Sequence, residues 1–132
     1  MRVVALDYGS ARTGVAVSDP SGSLARPVGV VEDAATDAGL SELSRLVREL
    51  EAERVVVGLP LTMRGRRGEQ AEETERFVSA LQSALDVPVE SFDERFTTDL
   101  AERDESQRAP ADARAAAYLL TTYLEWASSG EE

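Results

Sequence analysis

Four carboxylates stand where an apolar run gives way to a turn or where a helix begins: Asp7, Asp93, Glu94 and Asp112. Asp7 closes the run Val3-Val4-Ala5-Leu6 and opens the turn Tyr8-Gly9-Ser10, while Asp93 and Glu94 follow Val89-Glu90-Ser91-Phe92. Asp112 falls in the first turn of the last helical stretch. Carboxylates brought together repel one another, and a charged cluster needs a cation to be stable. Hard oxygen donors suit Mg²⁺ or Mn²⁺, ions that keep bound waters and bridge to phosphate. Two such ions about 4 Å apart can activate water on one side of a phosphodiester and stabilise the leaving oxygen on the other. Strand alternation sends Asp93 and Glu94 to opposite faces, so one of the two is expected to serve. Each position also has a plainer use. Asp7 can order its turn, Asp112 can answer the positive end of a helix, and Glu94 can pair with Arg95 in solvent.

Composition narrows the chemistry further. With no His and no Cys, imidazole catalysis, thiol nucleophiles, disulfides and the usual zinc ligands are excluded. Acid–base or metal chemistry must then use carboxylates, hydroxyls, Arg or water. All fourteen basic residues are Arg, and the net charge is −11. Such a balance argues against a broad basic face that coats nucleic acid, yet allows a local basic lip. Arg64, Arg66 and Arg67 surround Gly65 just past an apolar run, where a bidentate grip on phosphate is possible.

The elements that would position these groups are legible from periodicity. Val3–Leu6 and Gly14–Asp19 read as two strands of an antiparallel hairpin, and Pro27–Val31 as a third strand with its proline near the start. Leu40, Leu43, Leu46, Val47 and Leu50 recur at helical spacing within a helix over Asp33–Glu53, capped by Ser41 or an upstream Asp. Arg54–Pro60 is a buried strand, Glu69–Leu85 a second helix, and Val87–Phe92 a fifth strand. A last helix runs from Pro110 to Trp126. Residues 1–127 form one domain, with 128–132 a frayed acidic tail. The order β-β-β-α-β-α-β-α implies an α/β fold with a five-stranded mixed sheet covered by helices on both faces. Ligand sites in such sheets lie beyond the carboxyl ends of the parallel strands, which is where Asp7, the Gly58–Gly68 loop and Asp93-Glu94 fall. No apolar run reaches the roughly 18 residues of a membrane span, and no leader pattern opens the chain, so a cytoplasmic protein is expected.

Four stretches together resemble the YqgF/RuvX family of bacterial nucleases, whose fold is ribonuclease H-like and related to the RuvC junction resolvases. They are Ala5-Leu6-Asp7-Tyr8-Gly9 with Arg12-Thr13-Gly14-Val15-Ala16-Val17-Ser18-Asp19; Val57-Gly58-Leu59-Pro60 with Gly65; Asp93-Glu94-Arg95-Phe96-Thr97-Thr98; and Asp112-Ala113-Arg114-Ala115-Ala116-Ala117-Tyr118-Leu119-Leu120. The resemblance implies a metal-dependent phosphodiesterase that matures the 5′ end of precursor 16S ribosomal RNA. Some members are instead junction resolvases. Matched by motif, Asp7, Glu94 and Asp112 would be the catalytic, metal-binding carboxylates for Mg²⁺ or Mn²⁺, with Asp93 the substitute should Glu94 face away. Arg12, Arg64, Arg66, Arg67 and Arg95 would hold the nucleic-acid backbone, and Thr97 and Thr98 would order the turn or donate to substrate. The implied partners are structured RNA, branched DNA and ribosomal precursor particles, with the chain a monomer or homodimer and no membrane involved.

Two features depart from that pattern. Family members usually carry a longer, basic segment before the last helix, whereas here the thirteen residues Asp99–Ala111 hold four acids against two Arg. Tyr8 stands where proline is common, and its ring could stack on a base. A non-cleaving nucleic-acid-binding factor on the same fold is the alternative of another class. Asp7-x-Gly9 followed by Gly14-x-Ala16 also resembles the first phosphate loop of actin-like kinases, but those enclose ATP between two such domains.

Overall fold

A computed structural model describes residues 1–59, 68–93 and 110–130. The elements are β1 (Val3–Asp7), β2 (Arg12–Ser18), β3 (Ala25–Glu32), α1 (Asp37–Glu49), β4 (Arg54–Leu59), α2 (Glu69–Ala84), β5 (Val89–Asp93) and α3 (Ala111–Gly130). One five-stranded sheet runs in the order β3-β2-β1-β4-β5. The hairpin strands β1–β2 and β2–β3 pair antiparallel, and β1–β4 and β4–β5 pair parallel. The expected mixed sheet is therefore present, with the parallel strands β1, β4 and β5 ending together at Asp7, Leu59 and Asp93.

Alternation along β1 divides the interior into two layers. Val4 and Leu6 join Val15, Val17, Val55 and Val57 beneath α1 and α2, which contribute Leu43, Val47, Phe77, Val78 and Leu81. Val3 and Ala5 join Ala16 and Val56 beneath α3, which contributes Ala116, Leu119, Leu120 and Tyr123. The small residues Ala5 and Ala16 on the second face let the long helix lie close to the sheet. Both faces of β1 are thus buried, as a continuous apolar strand requires. Among the described residues no helix is long and apolar enough to cross a membrane.

The structure corrects several boundaries. The first helix spans Asp37–Glu49 rather than 33–53, because Asp33 (φ 51°) and Glu51 (φ 57°) both adopt left-handed backbone, a conformation that interrupts a right-handed helix. Its cap is Thr36, whose Oγ1 accepts the Gly39 N–H at 3.1 Å; Ser41 lies inside the helix. The third strand begins two residues earlier than expected, at Ala25. It occupies the sheet edge, which is why Pro27 is tolerated within it. The last helix continues to Gly130, three residues into the stretch expected to fray. Between β2 and β3, the Asp19 carboxylate accepts the Leu24 and Ser23 N–H groups and the Ser21 hydroxyl. Those bonds hold its pKa well below the usual carboxylate range, the Leu24 N–H most of all.

Candidate active site

The site is built where β1, β2 and the start of α3 meet. Asp7, at the end of β1, is the cross-strand partner of Gly14 in β2. Directly opposed residues of an antiparallel pair project to the same face. Asp7 also shares a face with Val3 and Ala5, which pack under α3, so its carboxylate belongs to the α3 side of the sheet. Asp112 lies in the first turn of α3, and that turn rests on Gly14. A Cβ added to Gly14 would stand 1.9 Å from the Asp112 carbonyl oxygen, 2.3 Å from its carbonyl carbon and 2.9 Å from the Ala113 nitrogen. Gly14 thus lies between the two carboxylate-bearing residues, pairing with one and supporting the backbone of the other.

Arg12 stands two residues before Gly14 on the same face of β2. Its Nε donates to Asp112 Oδ2 at 2.9 Å, with both side chains substantially exposed. The turn between β1 and β2 is tight. Thr13 Oγ1 bonds the N–H and the carbonyl of Gly9 at 3.4 Å each, and a Cβ on Gly9 would stand 2.5 Å from the Arg12 carbonyl oxygen. A cavity of about 590 Å³ opens beside Arg12, between the β3 exit (Glu32, Asp33), the start of α1 and Pro110.

The far end of α3 is fixed independently. Tyr123 Oη donates to Glu90 Oε2 at 2.7 Å, and Arg54 donates to both, at 3.0 and 3.1 Å. Burial, followed by the Glu90 carboxylate, pushes the Tyr123 phenol up. Phe92 meets the Tyr123 ring edge-on at 5.4 Å between centroids. Because α3 is anchored here to β4 and β5, its first turn sits on Gly14 as the end of a held bar.

Glu90 and Phe92 reach Tyr123 on the α3 side, whereas Val89 packs beneath α2. By alternation Asp93 shares the face of Val89, opposite the face that carries Asp7 and Asp112. Glu94, Arg95, Thr97 and Thr98 lie outside the described residues, as do Arg64, Arg66 and Arg67. Among the described residues no three carboxylates gather closely enough to form a cation site. Asp7 and Asp112 come to the α3 side of the sheet from opposite ends of the chain, and carboxylate oxygens are donors of the kind that suits a hard divalent ion.

Tyr8 is not a base platform. The residue is 9% exposed, its ring stacked on Phe77 at 4.3 Å between centroids, with its hydroxyl donated to Glu73 Oε2 at 2.8 Å. Burial, then the Glu73 bond, pushes the phenol up to about 12. Gly14 belongs to the stretch that carries the family likeness, and an isolated glycine within a β-branched strand signals a close backbone approach.

A family model described as "RuvX: Holliday junction resolvase" matches residues 1–126. A protein of Chloroflexus aurantiacus named "Putative pre-16S rRNA nuclease" is 43% identical over 131 residues, covering 93% of this chain and 86% of its own length. One of the same name from Syntrophomonas wolfei is 37% identical over 140 residues, covering 100% of this chain and 99% of its own. Among solved structures, Thermus thermophilus RuvC in complex with a Holliday junction superposes with a TM-score of 0.63 at 22% identity, over 98% of this chain and 96% of that one. The fowlpox virus resolvase with its junction gives 0.59 at 11% identity, over 96% and 99%. At such identities these structures establish the fold, which is the ribonuclease H-like one expected.

Proposed function

The chain belongs to the RuvX family, and from that premise we propose that it is a metal-dependent endonuclease that matures the 5′ end of precursor 16S ribosomal RNA. The observation that carries the reading is the placement of Asp7 and Asp112 on one face of the sheet, joined through Gly14. Two acids brought to one face from opposite ends of the sequence repel one another, and a cation bound between them would offset that repulsion. Glu94 is the third ligand in this reading, since Asp93 shares the face of Val89, away from the other two.

Mg²⁺ or Mn²⁺ bound by these carboxylates would lower the pKa of a water and neutralise charge developing on the phosphodiester. The chain's own part is to bind and orient. Arg12 is exposed beside Asp112 and can turn from the carboxylate to a substrate phosphate. Arg64, Arg66, Arg67 and Arg95 extend that grip along the backbone, and Thr97 and Thr98 order the turn or donate to the substrate. With a net charge of −11, binding relies on these local contacts, and the protein works in the cytoplasm on RNA within ribosomal precursor particles.

A second reading is favoured by the family's own description as a resolvase. Resolution of a four-way junction needs two sites related by a two-fold axis, and so a homodimer. Both readings are tested by offering precursor RNA and four-way junction DNA side by side, with Mg²⁺ and Mn²⁺. Cleavage of the RNA by a monomer supports maturation. Symmetrical cutting of the junction alone, by a stable dimer, replaces it with resolution, and tight binding without cleavage of either replaces both with a non-cleaving factor.

A further inference from the structure

We propose that Gly14 is a positioning residue for the active site. By carrying no side chain, it sets how closely the first turn of α3, and with it the Asp112 carboxylate, approaches Asp7. The inference rests on the reading of Asp7 and Asp112 as ligands and adds the determinant of their separation.

The geometry leaves Gly14 no substitute. A Cβ there would overlap the Asp112 carbonyl group and the Ala113 nitrogen, at 1.9 to 2.9 Å. The strand cannot recede, because Gly14 pairs with Asp7 on one side and Val30 on the other. Its neighbours Thr13 and Val15 are buried at 0% and 1% exposure. The helix turn can recede. Its far end is held by Tyr123, Glu90 and Arg54, so a side chain at Gly14 tilts the near end outward. Restoring ordinary contact moves the Asp112 backbone by about 1 Å or more, beyond the roughly 0.5 Å within which a site must be held.

The same placement accounts for the other contacts of this turn. Arg12 lies on the face of Gly14 and meets Asp112 from the strand side, and Ala113, directly after Asp112, is 0% exposed. Gly14 and Ala113 therefore form the seat of the turn, with Arg12 pairing with its exposed carboxylate, and Gly14 sets its height.

The test reads Mn²⁺ affinity of the full chain from the electron paramagnetic resonance signal of free Mn²⁺, with folding checked by circular dichroism in EDTA. Gly14→Ala is expected to weaken Mn²⁺ binding at least tenfold. Asp112→Glu, whose carboxylate reaches one methylene further, is expected to weaken binding in the Gly14 chain and to restore it in the Gly14→Ala chain. That reversal is one a purely structural role for Gly14 would not produce. Ala113→Val lifts the same turn from the helix side, should Gly14→Ala fail to fold, and is expected to lose Mn²⁺ affinity equally. Wild-type Mn²⁺ affinity in either folded variant overturns the role of Gly14 alone. Wild-type affinity in Asp112→Asn overturns the ligand assignment on which it rests.

Discussion

Arg12 Nε stands 2.9 Å from Asp112 Oδ2, so a guanidinium pairs with one of the carboxylates assigned to the metal. The two side chains are 56% and 40% exposed, and a solvated pair of this kind contributes less than about 1 kcal/mol. Its consequence is electrostatic competition. Arg12→Ala is expected to leave the melting temperature within a few degrees of wild type and to tighten Mn²⁺ binding, because a neighbouring cation is removed. RNA binding should weaken, with the salt slope reduced by about one counterion. Calorimetry and a salt titration check both, and loss of Mn²⁺ binding would mean that Arg12 holds Asp112 in place rather than competing for it.

Tyr8 links the first turn of the site to the core through Phe77 and Glu73. Its phenol ionises at about 12 in the folded chain, against 10.0 ordinarily. Between those values the unfolded chain has released a proton that the native chain retains, so stability falls as pH rises through the interval. This contribution is fully present below pH 10 and is lost towards pH 12. An ultraviolet titration should show a tyrosine component ionising near 12 in the wild type that is diminished in Tyr8→Phe. Wild-type RNA affinity in Tyr8→Phe, and in Tyr8→Leu after allowing for lower stability, agrees with a ring that packs inward.

Thr36 and Ser41 separate two accounts of how α1 begins. Thr36 Oγ1 satisfies the Gly39 N–H, so Thr36→Ala should cost about 1 kcal/mol of unfolding free energy. Ser41→Ala, inside the helix, should be nearly neutral or slightly stabilising. Urea denaturation of the two variants decides between them, and the reverse order would return the cap to Ser41.

How much of this was legible beforehand depended on whether local chemistry or tertiary contact set the feature. The β1–β2 hairpin, the parallel β4 and β5, and the apolar face of α1 follow from periodicity, and the structure has them. The ends of α1 did not, because Asp33 and Glu51 take left-handed backbone without a glycine to announce it. Tyr8 read as a ring that could stack on a base, because its partners Phe77 and Glu73 are far off in sequence. Asp7 and Asp112 were legible as candidates by type and position. What joins them was not, because the overlap at Gly14 exists only once α3 has folded back across the hairpin.

The central claim is that Asp7 and Asp112 act together in cleavage that depends on a divalent metal. The most direct measurement is the rate of cleavage of precursor RNA carrying the 16S 5′ end, in Mg²⁺, by the wild-type chain, Asp7→Asn, Asp112→Asn and the double variant. Each single variant is expected to lose activity on the order of 10³-fold, corresponding to the several kcal/mol a metal supplies at such a centre. The double variant should be little worse than either, as for groups that act as a unit, and EDTA should abolish wild-type cleavage. Wild-type rates in Asp7→Asn, or undiminished cleavage in EDTA, would contradict the account.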